Sequence, residues 1–492
     1  MKPEYDVVII GSGLGGLLCG AILGKEGMKV CVLEKYSRTG GCLQNFKRHG
    51  VIFDTGMHYT GGLAPGQNLY RYWDYLGIMK KMKIEKLDPN GFDRIVIKEK
   101  EYPLAQGFDN FIQQLLLCFP EAEGSLKQYI SEILKISNAF PLYHFDLPDG
   151  NMEKPFVLSS AFDFFNLFNE NPLLPAVLSG NQFLYDGNPD KTPLYIPALI
   201  NHSLISSAWR WVDGSSQISD LLSGVILSAG GEILTNSEIH KIRKENQGLV
   251  ADSKDGRSFY AKRIISDLHP GTTIRLLDPD LIRKAYSDRI MHLPLTSSSF
   301  ALYIVLKENT FPYLNSNFHV FSDMEKSGDT EGWPSQYLLY TPPFSGNKGY
   351  AVSLIIMTRM KFTDVKKWGH THTGHRGPEY MEFKEKHAEM LLDEVSRKFP
   401  GLRACIRSME ISTPLTWREY TGTPEGSMYG NARDYHDPFR TLIMPRTPLQ
   451  GLYLTGQNVN IHGALGVTIA SFMTCGEIIG MEYLLKKVKD VC

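Results

Sequence analysis

The hydrophobic pattern at the N-terminus predicts a strand, a helix and a second strand. Residues 7–10 form a β-branched run, an apolar stretch of helical length follows a glycine turn, and residues 29–33 form another apolar run. Residues 211–243 then predict a glycine turn, a helix and a strand, and residues 451–480 predict a strand, a glycine turn and a small-residue helix. We expect these three regions to build one α/β unit.

The rest of the chain has a different pattern and predicts a second unit. Residues 155–186 are rich in Phe and Leu without strand alternation, which favours helices packed around an apolar space. Residues 297–360 contain alternating segments that predict a largely antiparallel sheet, and residues 378–399 predict a helix between two prolines.

The first glycine turn predicts dinucleotide binding. In the sequence GSGLGG, Gly11 permits the tight turn, Gly13 lets the backbone approach a pyrophosphate, and Gly16 allows close packing of helix on strand. The second strand ends at Glu34, in position to accept hydrogen bonds from ribose hydroxyls. Because the strand, the helix, the second strand and the acid follow one another at the spacing that the motif requires, a glycine-rich surface loop is the weaker interpretation.

The two units together predict an α/β fold in which a Rossmann-like nucleotide domain carries an α+β substrate domain inserted twice. The chain of 492 residues is longer than one hydrophobic core usually accommodates, which agrees with two domains. The expected boundaries place the nucleotide domain at residues 1–95, 206–285 and 446–492, and the substrate domain at residues 96–205 and 286–445.

Charge and cysteine content exclude several classes of protein. Lys and Arg total 52 against 53 Asp and Glu, so no charge excess points to nucleic acid. The seven cysteines are scattered, odd in number and without a CxxC pair, which argues against a disulfide framework and a zinc site and favours a reducing cytosol. The apolar stretch after Asp6 is interrupted by glycines and is needed for the fold, so we expect neither a signal peptide nor a membrane span there.

Several motifs resemble FAD-dependent, amine-oxidase-like flavoproteins, and specifically the carotenoid desaturase, carotenoid isomerase and retinol saturase branch. The resemblance covers nearly the whole chain and depends on GSGLGG at 11–16 with Glu34, FDTGMHYTGG at 53–62, LINHSLISSAWRWVDGSS at 199–216, HRGPEYMEFK at 375–384, PLTWREYTGTPEGSMYG at 414–430 and GLYLTGQNVNIHGALG at 451–466. The chain departs from the desaturases at Cys42, where they carry Arg, and from the saturases at residues 211–215.

The resemblance implies a set of FAD-binding positions. It places Gly11, Ser12, Gly13, Leu14, Gly15 and Gly16 at the pyrophosphate, and Glu34, Lys35 and Ile239 around the adenosine. Along the ribityl chain and the flavin ring it places Gly41, Cys42, Gly56, Met57, His58, Gly456, Gln457, Leu465, Gly466 and Val467.

The activity implied by the resemblance is two-electron chemistry, formally hydride transfer at flavin N5, on a hydrophobic polyene or isoprenoid. Saturation or isomerisation is favoured over desaturation, because the C-terminal motifs are more similar to the saturase and isomerase branch. No second glycine fingerprint is present, so NAD(P)H or another external donor or acceptor would meet the flavin directly. A cytosolic location with peripheral membrane contact is expected.

Three alternative functions stay open from the sequence. The first is an amine oxidase on the same fold, and the second is a redox-neutral isomerase that uses reduced flavin. The third is a non-catalytic lipid-binding protein similar to the GDP-dissociation inhibitors, against which the intact glycine set and Glu34 argue.

Candidate catalytic residues follow the predicted flavin-contacting glycine. His58 is the first candidate for a proton donor and Tyr59 the second, although a structural histidine is an equal interpretation of His58. Packing is the favoured role of Cys42.

The spacing of His370, His372 and His375 suggests a metal site, but no carboxylate or cysteine flanks these histidines, so no metal is expected. Arg210 either binds a polar end group or pairs within the fold, and most of Phe162–Phe168 is expected in the core.

Overall fold

The computed structural model describes residues 4–147, 153–246, 248–322, 333–346 and 349–491. Its strands, numbered along the chain, are β1 (Tyr5–Ile10), β2 (Val30–Leu33), β3 (Asn45–Arg48), β4 (Val51–Asp54), β5 (Thr60–Gly61), β6 (Ile84–Lys86), β7 (Asp93–Ile97), β8 (Lys100–Leu104), β9 (Ala208–Trp211), β10 (Glu232–Leu234), β11 (Ile239–Glu245), β12 (Gly248–Ser253), β13 (Ser258–Ser266), β14 (Ser298–Leu306), β15 (Asn317–Phe321), β16 (Gln336–Tyr340), β17 (Ser353–Met360), β18 (Ile406–Ser412) and β19 (Leu452–Leu454).

The helices connect these strands and cover their faces. They are α1 (Leu14–Lys25), α2 (Asn68–Tyr75), α3 (Phe108–Leu116), α4 (Glu123–Asn138), α5 (Lys154–Val157), α6 (Ala161–Asn166), α7 (Leu174–Leu178), α8 (Tyr195–Ser206), α9 (Ser216–Ser228), α10 (Pro270–Leu276), α11 (Lys284–Met291), α12 (Pro378–Lys398), α13 (Leu402–Cys405), α14 (Pro414–Thr421), α15 (Pro438–Thr441), α16 (Gly463–Ile479) and α17 (Met481–Lys489).

The first sheet has the topology of a nucleotide-binding fold. Its parallel strands follow the order β10–β2–β1–β13–β19, and the hairpin β11–β12 continues the sheet beside the first half of β13. The strand order reverses next to β1, and ligands bind at such a switch point beyond the carboxyl ends of the strands. The prediction of an α/β fold with a Rossmann-like unit is confirmed.

Close packing of helix α1 on this sheet depends on small residues. A Cβ atom on Gly16 would lie 2.1 Å from the carbonyl oxygen of Gly11, and one on Gly20 would lie 2.8 Å from Ile226 of α9. Helix α16 packs against the same helix, and Trp73 of α2 donates a hydrogen bond from Nε1 to Thr468 at 3.0 Å. Segments far apart in sequence therefore form one packed layer.

The second sheet is mixed and carries the substrate side of the molecule. Its order is β18–β14–β17–β16–β15–β7–β8, and every neighbouring pair is antiparallel except β15 and β7. The prediction of a largely antiparallel sheet is confirmed with this one parallel pairing. Helix α12 and the core residues around Leu391 cover one of its faces. The domain boundaries stay a prediction.

A small sheet, β5–β9–β6, carries a buried arginine that connects it to the second sheet. Arg210 on β9 donates to the carbonyl oxygens of Leu314, Ser316 and Thr341 and to Oδ1 of Asn317, all at 2.7–2.9 Å. Of the two roles that the sequence left open for Arg210, the structure shows pairing within the fold, with backbone and amide oxygens as the acceptors.

The Phe/Leu-rich segment forms short helices, as its pattern predicts. Phe164, Phe165 and Phe168 belong to a buried cluster with α3 and α4, whereas Phe162 is exposed. The segment contributes little to the apolar cavity described below, where only Val157 and Leu184 of residues 155–186 are lining residues. The expectation that this segment encloses the cavity is thus corrected: its aromatic rings fill a separate core.

Candidate functional site

The glycine loop is closed by hydrogen bonds to the acid at the end of β2. The buried carboxylate of Glu34 accepts bonds from the backbone amide of Ser12 (3.1 Å), the hydroxyl of Ser12 (2.6 Å) and the backbone amide of Tyr36 (2.9 Å). The Gly40 amide donates to the carbonyl oxygen of Ser12 at 2.9 Å. A carboxylate offers about four lone-pair sites, so Glu34 keeps capacity for one further donor such as a ribose hydroxyl.

A second carboxylate lies inside the loop and was missed by the sequence analysis. Asp267, just beyond β13, accepts hydrogen bonds from the backbone amides of Gly13 and Gly16 at the start of α1. Its Oδ1 atom is 2.4 Å from where a Cβ of Gly15 or Gly456 would lie. Burial, with the charge of Glu34, raises the pKa of Asp267 to about 7, against the lowering effect of the two amides.

The loop thus passes a direct test for anion binding. Amides at a helix N-terminus are the donors that phosphate groups use, and here two of them lie against a carboxyl group of this chain. Side chains at the three surrounding glycines would fill the same space. The donor set therefore fits the pyrophosphate of a dinucleotide, and the only misfit is the Asp267 carboxylate itself.

The turn at residues 40–42 approaches the loop from the opposite side. Gly40 has φ 118° and Gly41 has φ 53°, and a Cβ on Gly41 would lie 3.2 Å from the Cα of Gly13. Burial, with the nearby Asp267, raises the pKa of the Cys42 thiol to about 11, so the thiol is protonated near neutral pH. This agrees with packing as the role of Cys42.

The other predicted cofactor positions divide into three groups. Around the adenosine end, Ile239 begins β11 in the core beside Leu33, and Lys35 is exposed with its ammonium 4.5 Å from the Tyr36 ring centre. Gly456 contacts the Asp267 carboxylate, and Gln457 borders a small side pocket. Along the expected flavin ring, Val467 is buried in the core, whereas the remaining positions line the cavity: Gly56, Met57, His58, Leu465 and Gly466.

An apolar cavity lies beside the predicted flavin positions. Its volume is about 460 Å³, and its walls are the turn 56–61, helix α8, residues 438–444 and the start of α16. The walls are mostly aliphatic and aromatic, including Phe140, Leu199 and Ile469. At the rim, Phe439, Leu442 and Met444 are exposed. An apolar chain would fit this space better than a polar or charged molecule.

His58 is neutral at the wall of this cavity. Its Nδ1 atom makes a short hydrogen bond with the hydroxyl of Tyr340 on β16. Burial, and secondarily the positive charge of Arg210, lowers the pKa of His58 to about 3. An imidazole of that pKa is not protonated at neutral pH, so His58 does not act there as a cationic acid.

Tyr59 connects the cavity to a buried polar pair. Its hydroxyl donates to Oδ2 of Asp93 at 3.0 Å and lies 3.3 Å from Nε2 of His319. Asp93 and His319 are both buried, and their closest atoms are 3.5 Å apart. Burial and the adjacent carboxylate raise the pKa of Tyr59 well above its usual value, so the phenol keeps its proton.

Two further cavity residues were missed by the sequence analysis. His462 stacks on Tyr429 with ring centres 4.1 Å apart and donates from Nε2 to the carbonyl oxygen of Leu184. Arg433 donates to the carbonyl oxygens of Thr441, Asn458 (2.6 Å) and Asn460 (3.0 Å). His462 lies within the motif at 451–466 but was not singled out there, and none of the quoted motifs contains Arg433. Their position at the cavity depends on segments that meet only in the fold.

Two other expectations concern metals and membranes. His370, His372 and His375 are exposed, and the described residues contain no group of three or more His, Cys, Asp or Glu placed to hold a metal ion. Among the helices that the structure describes, none combines the length and the apolarity needed to cross a bilayer.

Comparison with known proteins agrees with this architecture. Residues 9–76 match the family model described as NAD(P)-binding Rossmann-like domain. The all-trans-retinol 13,14-reductase of Rattus norvegicus is 26% identical over 97% of this chain and 86% of its own length. Prolycopene isomerase 2, chloroplastic, of an Oncidium hybrid cultivar is 24% identical over 92% of this chain and 80% of its own length.

A solved structure supports the fold alone. Cyclohexylamine oxidase from Brevibacterium oxydans superposes with a TM-score of 0.63 at 14% identity, covering 98% of this chain and 100% of that one. The Rossmann-like match and the two relatives, which are similar along almost the whole chain, confirm the resemblance to retinol saturases and carotenoid isomerases that the sequence motifs indicate.

Proposed function

We propose that this protein is an FAD-dependent oxidoreductase or isomerase that acts on carbon–carbon double bonds of a hydrophobic polyene or isoprenoid. The proposal depends mainly on one observation: the residues expected beside the flavin ring also line an apolar cavity. The turn 56–59 and the turn 463–466, both expected beside the flavin ring, form adjacent walls of an apolar cavity of about 460 Å³. A cofactor site and a site for an apolar chain would therefore share a boundary.

The residues that would hold FAD are those of the predicted set. The amides at the start of α1 would bind the pyrophosphate, and Glu34 would accept from the ribose. When bound, FAD supplies two-electron redox chemistry, while the protein positions it and excludes water. The tight approach of Gly41 to Gly13 leaves that region accessible only to backbone contacts.

The substrate is proposed from the cavity and from the names of the relatives. The relatives are named for a retinol and for prolycopene, and the cavity walls are apolar on nearly all sides. The exposed rim residues Phe439, Leu442 and Met444 would let a lipid-dissolved molecule enter from a membrane surface that the protein contacts peripherally. An external NAD(P)H or other electron carrier is part of the proposal.

The proton that saturation requires is proposed to come from Tyr59. His58 stays neutral beside Tyr340 and orients the cavity wall, whereas the Tyr59 hydroxyl has the buried Asp93–His319 pair behind it as a route for reprotonation. The order of the two candidates is therefore reversed relative to the sequence-based preference. Saturation or isomerisation remains favoured over desaturation, on the C-terminal motifs.

The test is a visible spectrum followed by anaerobic turnover. The purified protein should show a flavin spectrum, and chemically reduced protein should saturate or isomerise a polyene while leaving amines unchanged. A protein that stays colourless after incubation with FAD would overturn the proposal and favour the lipid-binding alternative. Reduction of the resting flavin by an amine would favour an amine oxidase, and reduction by a polyene would reverse the direction.

The proton donor is tested separately. Tyr59→Phe should slow saturation at least tenfold and reduce the solvent isotope effect, with the flavin spectrum unchanged, whereas His58→Gln should have a smaller effect. A larger loss in His58→Gln than in Tyr59→Phe would restore His58 as the donor.

A further inference from the structure

The anion site of the glycine loop contains a side chain of the protein itself. Asp267 receives the Gly13 and Gly16 amides, and its Oδ2 atom is 2.5 Å from where a Cβ of Gly13 would lie. Its backbone cannot withdraw, because its amide donates to the carbonyl oxygen of Ile10 at 2.9 Å at the end of the central strand. The Cβ atom of Asp267 is thereby held beside the loop, and its carboxyl group occupies the space in front of the glycines.

We propose that Asp267 is a built-in competitor for the glycine loop, so that the protein binds a dinucleotide in the form that carries a proton on Asp267. The proposal rests on the proposed function and deepens it by adding a regulated step to cofactor binding. Two anions cannot share the same two amides without strong repulsion. A protonated carboxyl group removes the repulsion and can donate to a phosphate oxygen.

The charged and titratable surroundings of Asp267 decide its protonation. The Glu34 carboxylate after β2 and the neutral thiol of Cys42 in the turn at 40–42 lie near it. His269, two residues further along its own loop, is hydrogen-bonded to Asn431 instead, and burial lowers the pKa of this histidine to about 4. The glycine loop and the Gly456 turn contribute only backbone. Among the described residues no cationic side chain lowers the pKa of Asp267, which is consistent with its value of about 7.

Because the pKa of Asp267 is about 7, the affinity for a dinucleotide should fall as the pH rises above 7. Below pH 7 Asp267 is largely protonated in the free protein and the dinucleotide binds without proton uptake. Above pH 7 the carboxylate forms, each binding event must take up one proton, and the dissociation constant rises about tenfold per pH unit. The pyrophosphate diester keeps its charge throughout this range, so the effect belongs to the protein.

The test measures FAD affinity by quenching of flavin fluorescence between pH 5.5 and 8.5. Wild-type affinity should weaken about 30-fold across this range, and Asp267→Asn should bind equally well at both ends. Asp54→Asn is the matched control: Asp54 is another buried carboxyl with its pKa raised to about 6, but it binds Ser215 outside the loop, so this variant should keep the wild-type profile.

A second measurement needs no variant. Calorimetric titration of wild-type protein with FAD at pH 8, in two buffers of different ionisation enthalpy, should show uptake of about one proton per FAD. FAD binding with no proton uptake, or with the same pH profile in wild type and Asp267→Asn, overturns the role of Asp267 alone. No FAD binding by either protein at pH 5.5 overturns the proposed function as well.

A different observation carries a second inference, also resting on the proposed function. Arg433 lines the apolar cavity, and its guanidinium donates only to backbone carbonyl oxygens. In the described part of the chain it forms no ion pair with a carboxylate. Burial lowers the pKa of Arg433, but a guanidinium stays charged at neutral pH.

We infer that Arg433 binds an acidic, oxygenated end of the hydrophobic substrate. A desolvated guanidinium gains most from a charged acceptor such as a carboxylate, and the N–H groups of Arg433 that do not bind these carbonyl oxygens, on Nη1 and Nε, can donate to it. The substrate class is thereby narrowed to a polyene or isoprenoid chain that ends in a carboxylate, with the apolar remainder along α8 and α16.

The test compares a polyene carboxylic acid with the corresponding alcohol, by quenching of protein fluorescence in the FAD-loaded protein. The wild type should bind the acid at least tenfold more tightly, Arg433→Met should bind both equally, and Arg433→Lys should keep part of the preference. Equal binding of acid and alcohol by the wild type overturns the inference. Failure to bind either molecule counts against the proposed function and this inference together.

Discussion

The glycine loop and the apolar cavity lie next to each other but are built in opposite ways. The loop is made mainly of backbone amides and the Glu34 carboxylate after β2, within a short stretch of sequence, and Asp267 joins it from a distant segment. The cavity is made of side chains from segments that are hundreds of residues apart, such as the turn 56–61 and the start of α16. The loop therefore tolerates almost no change in its atoms, whereas the cavity can be reshaped without loss of the fold.

The largest expected effect tests the rigidity of the loop. Gly16→Ala places a Cβ 2.1 Å from the carbonyl oxygen of Gly11, so strand and helix must separate, at a cost of about 3 kcal/mol or more in the free energy of unfolding. Gly224→Ala is the control, because this exposed helical glycine has no neighbour within 4 Å and should gain up to about 1 kcal/mol. Denaturant unfolding measures both, and equal stabilities would contradict the contrast.

The next prediction concerns the acid that closes the loop. Glu34→Ala removes the acceptor of the Ser12 and Tyr36 amides and of the expected ribose hydroxyls. FAD affinity should fall by roughly 1.5–3 kcal/mol, the range for a hydrogen bond to a charged group. Fluorescence titration at pH 6 measures the loss, and an unchanged dissociation constant would remove Glu34 from the nucleotide site.

A third prediction uses pH on the protein without cofactor. The pKa of Asp267 is raised from 3.8 to about 7 in the fold, so its contribution is favourable at low pH and is lost as the pH rises toward 7. Between pH 5 and 8 the wild type should lose about 2.6 kcal/mol of unfolding free energy relative to Asp267→Asn. Denaturant unfolding of both proteins checks the sign, and a wild type that gains stability over this range would contradict it.

The cavity should respond differently from the loop. Ile200→Trp on α8 fills the space with a larger side chain and should weaken binding of a polyene about tenfold, roughly 1.4 kcal/mol, while FAD affinity stays the same. Leu117→Trp, at a position that is 77% exposed and outside the cavity, should leave both unchanged. Loss of FAD in Ile200→Trp would show that the two regions are not independent.

The smallest effect is expected at the rim. Phe439→Ser removes a ring that is 71% exposed and should reduce association with neutral liposomes about threefold, with little dependence on salt. Leu117→Ser removes a comparably exposed apolar side chain away from the cavity and should have no effect. An equal loss of liposome association in both variants would indicate that exposed apolar side chains bind membranes in general and that the cavity rim has no specific role.

The same contrast explains what could be predicted from the sequence. The unit from β1 to Glu34 was predictable because its hydrogen bonds and packing are local, and its motif fixes the spacing. The parallel pairing of β7 with β15, and the contact of His58 with Tyr340 across 282 residues, leave no local pattern. Asp267 lies within residues 206–285, which the sequence assigns to the nucleotide domain, but its place in the anion site depends on the register of β13 with β1.

The pairing of β1 with β13 also has a consequence for synthesis. The ribosome must add about 250 residues after β1 before Ser266 can complete the partner strand, which takes roughly 10–50 s at typical elongation rates. During that time the nascent β1 and β2 present an uncovered apolar edge, since β19 and α16 follow still later. Such an edge is a site of aggregation, so productive folding of this chain should depend on chaperones that shield its first fifty residues.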